Sequence, residues 1–271
     1  MSLSRRTQPR EAPAQLPLPS RASGASGLRD TKVFLWLAAL LLFAALLALS
    51  RVATNLVIQG DEGSYLLNAA AIAGKLTRSA LVFEYSSGYS LLLAPAFLLT
   101  SDFQTVYGIA LGVNALLMAT LPFAFYRIVG AVFAECPERD RVACSVAAAL
   151  YAPALVLSQY AVSDNALLAA YAWALVAGIS AIRGGPRSAA ILCGALLGFL
   201  FVIHARGAPL AVPVLVAFAL YGVRRREVRG RVTLIWLCTF AIGALHRPLE
   251  RMAGKLNGFS AAGPSLHEIV S

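Results

Sequence analysis

Long apolar segments separated by short polar ones make up most of the chain. The first begins near Val33 and runs to about Ala53, and its continuous core can cross the hydrocarbon layer of a bilayer at about 1.5 Å per residue. Six more apolar segments follow: Gln104–Tyr126, Val142–Tyr160, Ala166–Ile182, Ser188–Ile203, Ala208–Gly222 and Arg231–Leu245. The pattern predicts an all-α, polytopic membrane helical bundle with about seven transmembrane helices.

The loop that joins the first two predicted spans, residues 59–103, contains helical patterns of its own. Apolar residues recur at helical spacing over Ser64–Gly74, which predicts a short helix. Ser86–Gly88 is typical of a turn. Tyr89–Leu99 is apolar but too short to span a bilayer, and Pro95 interrupts it. We therefore expect one or two membrane-parallel or re-entrant helices in this loop.

The composition favours the same class of protein. Of 271 residues, 59% are hydrophobic and only 13% are charged, and the mean hydropathy is +0.71. A soluble domain carries about twice that charged fraction, so lipid must replace water over most of this surface. The net charge of +10 comes from basic residues clustered between apolar segments. Such clusters mark cytoplasmic loops, and they do not indicate nucleic-acid binding.

The termini and the cysteines add little chemistry. Residues 1–32 are rich in Ser, Pro, Ala and Arg, and they predict a disordered basic cytoplasmic tail before a core of residues 33–247. Residues 248–271 form a polar C-terminal tail. No two of the four cysteines form a C-x-x-C pair, so we expect free thiols and neither a disulfide frame nor a zinc site. A divalent metal is possible but is not predicted to be obligatory.

The positive-inside rule gathers the acidic and polar residues at one end. With seven spans and Tyr89–Leu99 uncounted, every strongly basic loop lies on the cytoplasmic side with the N-terminus. The outer ends of the spans then carry Asp61, Glu62, Glu84, Ser163-Asp164-Asn165, His204 and Arg206.

Asp61 and Glu62 are adjacent acids at the outer end of the first span. They are either solvated acids at a loop start or part of a catalytic site. A carboxylate in this position can act as a general base toward an acceptor hydroxyl group. Two adjacent residues of a helix point about 100° apart, so one acid can face substrate while the other contacts a structural partner.

Two segments of the first outer loop resemble a known family. Asp61-Glu62-x-x-Tyr65 resembles the opening motif of the C-type glycosyltransferases, which include protein mannosyltransferases and aminoarabinose transferases. Tyr85–Pro95, YSSGYSLLLAP, is similar to the family pattern YPPGYPLLLAP, with two serines in place of the usual prolines.

Two further motifs follow in the family's order. Ser163-Asp164-Asn165 resembles the acidic position of the second outer loop, and Ala205–Pro209 resembles the family's RPxG. The similarity extends roughly from Val33 to Tyr221. Family members usually have more spans than this chain.

The resemblance implies a function and a set of site residues. The protein would transfer a sugar, with inversion, from a polyprenyl-phosphate donor to a glycan, lipid or protein acceptor on the outer face of a bacterial inner (plasma) membrane. Asp61 would be the base, with Glu62 supporting it, and Arg206 with His204 would bind the donor phosphate. The other substrate-binding residues would be Tyr65, Glu84, Tyr85 and Asp164. The alternative is a catalytically inactive or truncated membrane protein that binds lipid or assists assembly.

Overall fold

The computed structural model describes residues 24–52, 60–76 and 87–256, with side chains at 30–51, 62–76 and 87–246. Within these ranges the regular structure is entirely helical. The α-helices are α1 (Gly24–Val52), α2 (Gly60–Ile72), α3 (Gly88–Leu99), α4 (Phe103–Val132), α5 (Glu138–Ala149), α6 (Ala152–Leu157), α7 (Asp164–Ile182), α8 (Arg187–Ile203), α9 (Gly207–Arg224) and α10 (Arg229–Leu256). The predicted all-α class is confirmed.

Among the described residues, five segments are long and apolar enough to cross a membrane. Four of them lie in α1, α4, α7 and α9, and the fifth, Arg226–His246, covers most of α10. Large apolar side chains on the outer helices remain exposed. Trp36 and Leu41 of α1 and Leu237 and Phe240 of α10 each expose more than half of their surface. Apolar surface this extensive requires lipid. The chain is therefore a multi-pass helical membrane protein.

Two of the seven predicted spans differ from simple long helices. The predicted third span is divided into α5 and α6 at Pro153, in the first turn of α6. Proline has no backbone N–H to donate to the preceding turn, and its ring clashes with the backbone there, so the helix cannot continue through it. The predicted fifth span is α8, which has 17 residues. α8 lies among α7, α9 and α10 and buries one face between Ala190 and Ile203, so it has the position of a central helix.

The first and last helices extend beyond their predicted ends. α1 begins at Gly24 and not at Val33, so it includes part of the segment that we predicted as tail. α10 continues to Leu256, past the predicted end of the last span. Once an apolar segment has nucleated a helix, each further residue adds a hydrogen bond at little cost, which explains such extensions.

A glycine pair in α8 allows α8 and α10 to approach each other closely. A Cβ atom at Gly194 would lie 2.5 Å from the Ile235 backbone oxygen of α10, and one at Gly198 would lie 3.0 Å from the Thr239 backbone oxygen. The Thr239 hydroxyl group also donates to the Gly194 carbonyl at 3.1 Å. Gly194-x-x-x-Gly198 is a small-residue motif, a pattern that predicts close helix packing, and α8 packs closely against α10 at this motif.

The matching pair in α4 has no such contact. A Cβ atom at Gly108 or Gly112 would meet nothing within 4 Å among the described residues. Gly108-x-x-x-Gly112 is a motif of the same kind and also predicts close packing, but in the described part of the bundle no helix packs closely against it.

The loop between α1 and α4 folds against the bundle. α2 and α3 pack on each other, and α3 also contacts α4 and α8. Gly88 opens α3 against the end of α8, where an added Cβ atom would lie 2.6 Å from the Ile203 backbone nitrogen. Helices therefore occupy both segments of this loop that the sequence predicts as helical, α2 and α3.

The bundle has two chemically different ends. Short turns join α7, α8 and α9, so α8 runs antiparallel to both α7 and α9. The arginine end contains the turns at residues 127–141, 183–187 and 224–231. The opposite end, called here the carboxyl end, contains residues 60–65, 102–107, 160–165 and 203–207.

Asp102 caps α4 at the carboxyl end. Its side chain accepts hydrogen bonds from the Thr105 hydroxyl group at 2.5 Å, from the Thr105 backbone nitrogen at 2.9 Å and from that of Gln104 at 3.4 Å. These hydrogen bonds, the Thr105 hydroxyl first, lower the pKa of the Asp102 carboxyl group. The cap therefore stays ionised to a lower pH than an unperturbed aspartate does, and it fixes the start of α4.

Candidate functional site

Glu62 is the central polar residue of the carboxyl end. It lies in the first turn of α2, and only 1% of its surface is exposed. Its Oε1 atom accepts a hydrogen bond from the Tyr107 hydroxyl group of α4 at 3.1 Å. The same oxygen accepts one from the Ala161 backbone nitrogen, before α7, at 2.7 Å. One carboxyl group thus joins three segments that are distant along the chain.

A second contact fixes α2 beside the start of α7. The Tyr65 and Ser163 hydroxyl oxygens lie 2.9 Å apart and share a hydrogen bond. Tyr65 is one helical turn after Glu62 and is also 1% exposed. Because Ser163 directly precedes Asp164, this contact holds the first turns of α2 and α7 next to each other.

Tyr89 extends the same polar layer into α3. Its ring packs edge-on against that of Tyr65, with 5.3 Å between the centroids. Its hydroxyl group donates to Asn114 Oδ1 at 3.0 Å, and Asn114 Nδ2 donates to the Tyr160 carbonyl at 2.8 Å. Polar groups in an apolar bundle must satisfy one another. This network fixes α3, α4 and the segment before α7 in one arrangement.

An ion pair lies at the rim of the carboxyl end. Arg206 Nη1 donates to Asp164 Oδ1 at 3.2 Å, and the two side chains are 66% and 31% exposed. The Arg206 backbone nitrogen donates to His204 Nδ1 at 3.0 Å. His204 Nδ1 is therefore an acceptor, which leaves Nε2 as the donor of the neutral ring. The arginine retains donors that Asp164 does not engage.

Two buried side chains at this end retain polar atoms without hydrogen bonds to the described residues. They are Glu62 Oε2 and the amide atoms Oδ1 and Nδ2 of Asn165, which is 1% exposed. An unsatisfied buried polar group costs about 1–3 kcal/mol. Native proteins retain few of them, and those retained often belong to functional sites. Both residues lie within one turn of the acids Asp61 and Asp164.

The predicted site residues separate into three groups. Glu62, Tyr65, Asp164, His204 and Arg206 all lie at the carboxyl end. Asp61 has its backbone in the first turn of α2, but its side chain lies outside the described residues. The third group, also outside the described residues, is Glu84 and Tyr85.

The sequence interpretation missed four residues of this site. Tyr107 and Asn114 lie inside the long apolar segment that forms α4, and Tyr89 lies inside α3. Asn165 was noted only as a neighbour of Asp164. Polar groups within apolar spans are costly and therefore informative, so Asn114 was the available signal.

No metal site is apparent in the described part of the chain, where no three His, Cys, Asp or Glu side chains are grouped for one ion. Metal dependence therefore stays a prediction from the sequence. The chemistry that these residues offer is that of carboxyl groups, hydroxyl groups and a guanidinium group.

Comparison with known proteins gives no assignment. No family model matches the chain, and neither a curated protein nor a solved structure matches it.

Proposed function

We propose that this protein is a membrane glycosyltransferase of the C type. It transfers a sugar from a polyprenyl-phosphate donor to an acceptor on the outer face of the membrane. The proposal rests on the motif resemblance of the sequence and on the clustering of five of the predicted site residues at one end of the bundle. That end combines acids with an exposed arginine, the groups that such a reaction requires.

The observation that carries the proposal is the burial of Glu62. Its carboxyl group fixes the first turn of α2 against α4 and against the segment before α7. Asp61 belongs to the same turn, and Asp164 follows that segment. In this proposal Glu62 is a positioning residue, and the role of base belongs to its neighbour Asp61. This division of roles agrees with the one that the resemblance implies.

The proposed reaction is a single displacement at the anomeric carbon. The acceptor hydroxyl oxygen attacks this carbon while the bond from carbon to the phosphate oxygen breaks. The acceptor proton passes to the Asp61 carboxylate, and the bonding electrons leave with polyprenyl phosphate. A positioned base contributes typically 10²–10⁴-fold to such a step. Attack from the opposite face inverts the anomeric centre.

In this proposal Arg206 binds the leaving phosphate. Its side chain is mostly exposed, and Asp164 orients it through Nη1. A guanidinium group has five N–H donors in a planar fork that matches phosphate oxygens. His204 adds a donor at Nε2, because its Nδ1 accepts from the Arg206 backbone. Both groups would stabilise the charge that develops on the departing phosphate.

The proposed topology has seven spans with the N-terminus in the cytoplasm. It counts α5 with α6 as one broken span and α8 as a short central span. The arginine end then lies in the cytoplasm and the carboxyl end outside, in agreement with the positive-inside rule. α2 and α3 would lie along the outer membrane surface.

Cysteine labelling tests this topology. In a variant without native cysteines, Lys75→Cys should react with a membrane-impermeant maleimide added outside intact cells, and Arg225→Cys should react only after permeabilisation. Both positions are exposed. Reaction of both residues from the same side would rule out the seven-span arrangement.

The transferase proposal is tested by Asp61→Asn. We expect transfer of label from a radiolabelled polyprenyl-phosphate sugar to fall at least about 100-fold in membranes that contain the full-length protein, because asparagine cannot accept the proton. The readouts are labelled acceptor and released polyprenyl phosphate, measured with a panel of sugar donors.

Asp102→Asn is the matched control. It makes the same change in an exposed acid at the same end of the bundle, and asparagine is also a good helix cap. This variant should transfer sugar at the wild-type rate. A wild-type rate for Asp61→Asn would exclude Asp61 as the base, and no transfer by the wild-type protein from any donor would favour the lipid-binding alternative.

A further inference from the structure

The arginines at the arginine end have different roles. Arg229 donates to the carbonyl groups of Gly222 and Val223 at 3.1 and 3.0 Å, so it caps the end of α9. Arg183 donates to the Ala131 carbonyl at the end of α4. These side chains satisfy helix carbonyl groups. Their charge is therefore used within the protein.

Arg187 and Arg231 differ, because they line a common cavity. It has a volume of about 440 Å³ and lies between the start of α8 and the start of α10. Arg231 Nη2 reaches the Gly184 carbonyl at 3.4 Å, which orients its guanidinium group. Within the described residues, no hydrogen bond or ion pair engages the Arg187 side chain. Arg187 also opens α8, where the helix dipole adds positive potential.

The cavity is amphipathic. Besides the two arginines its lining includes Thr233, and on α10 it continues along Leu234 and Leu237. Arg231, Leu234 and Leu237 are spaced by three residues and so share one face of α10. The side chain of Leu237 is 61% exposed. A charged cavity that continues into an exposed apolar face matches a ligand with an anionic head and an acyl chain.

Glu227 is the acid in this lining. Its Oε1 atom also lies 3.9 Å from Arg225 Nη1. Because both of these side chains are largely exposed, the pair is weak. The lining therefore has two cationic groups and one acid that a neighbouring arginine partly compensates. Its net charge favours an anion.

We propose that this cavity binds the headgroup phosphate of an anionic phospholipid of the cytoplasmic leaflet. Arg187 and Arg231 bind the phosphate, and an acyl chain lies along Leu234 and Leu237. Basic pockets between transmembrane helices on the cytoplasmic side commonly bind anionic headgroups. The site is at the opposite end of the bundle from the carboxyl end, and the proposal does not depend on the transferase activity.

The test is lipid-dependent thermal stabilisation of the delipidated full-length protein in detergent. Dioleoyl phosphatidylglycerol should raise the unfolding temperature in a saturable manner, since a ligand that binds only the folded state stabilises it. Dioleoyl phosphatidylcholine and inorganic phosphate should not. Arg187→Gln should raise the half-saturating lipid concentration about fivefold, as expected for one arginine near an anionic headgroup.

Arg226→Gln is the matched control, because this exposed arginine of the same turn does not line the cavity. Arg226→Gln should keep the wild-type half-saturating lipid concentration. Glu227→Gln should lower this concentration, because it removes the acid of the lining. If Arg226→Gln and Arg187→Gln raised the half-saturating lipid concentration equally, the lipid would be attracted by the overall positive charge of this end, and the specific site would be ruled out. Equal stabilisation by phosphatidylcholine, or full stabilisation by inorganic phosphate, would overturn the anionic lipid as its ligand.

Discussion

Replacement of Glu62 by alanine should lower the free energy of unfolding by about 3–5 kcal/mol. The variant leaves the Tyr107 hydroxyl group and the Ala161 backbone N–H without their buried acceptor. Each unsatisfied buried donor costs about 1–3 kcal/mol, and the empty side-chain volume adds to this. The loss of stability should appear as unfolding at a lower fraction of SDS when the protein in mixed micelles is titrated with SDS.

Glu62→Gln separates hydrogen bonding from side-chain removal. The amide oxygen can still accept both hydrogen bonds, so we expect a smaller loss of about 1–2 kcal/mol. Tyr107→Phe removes one donor but leaves the acceptor bonded to Ala161, and it should cost about 1 kcal/mol.

Glu135→Ala is the control for this series. Glu135 is an exposed acid at the arginine end, and a surface change of this kind should alter stability by less than about 0.5 kcal/mol. Equal stability of Glu62→Ala and Glu135→Ala would show that the Glu62 carboxyl group does not join α2 to the bundle.

The second large effect is expected at the crossing of α8 and α10. Gly194→Ala should destabilise the protein by about 2–3 kcal/mol, because the new methyl group would lie 2.5 Å from the Ile235 backbone oxygen. A backbone atom cannot rotate away as a side chain can. The two helices must therefore separate, which also lengthens the hydrogen bond from Thr239 to the Gly194 carbonyl.

Gly112→Ala provides the matched comparison, since it makes the same change within the same kind of motif. Nothing among the described residues lies within 4 Å of the new methyl group. Alanine also favours a helix over glycine by up to about 1 kcal/mol, so the variant should be neutral or slightly stabilised. The free energy of unfolding of both variants is measured by the same SDS titration. A loss of stability in Gly112→Ala as large as that in Gly194→Ala would contradict the close contact of α8 with α10 at Gly194.

Several features of the fold follow from the sequence because they are local properties of the chain. A span needs a continuous apolar segment, and its backbone hydrogen bonds close within the helix itself. The start of α4, the helical character of α2 and the close-packing motif of α8 could therefore be predicted. The division of α5 from α6 was also visible in principle, since Pro153 disrupts the helix locally.

The organisation of the candidate site could not be predicted in the same way. The sequence marks Asp61 and Glu62 as an unusual pair, but it does not say that Glu62 is buried. Glu62 is buried because it reaches Tyr107, 45 residues away, and Ala161, 99 residues away. Partners this distant are brought together only by the packing of α2 against α4 and the start of α7.

By itself, the sequence determined that this is an all-helical, multi-pass membrane protein with its acids concentrated near a few helix ends. Solvation decides these properties residue by residue, because lipid admits apolar side chains and excludes charges. Only the tertiary structure decided that Glu62 is a buried link between helices, that Arg206 pairs with Asp164, and that Arg187 shares a cavity with Arg231. Each of these depends on which helix faces meet, and a side chain's partner across a helix interface is not encoded in its local sequence.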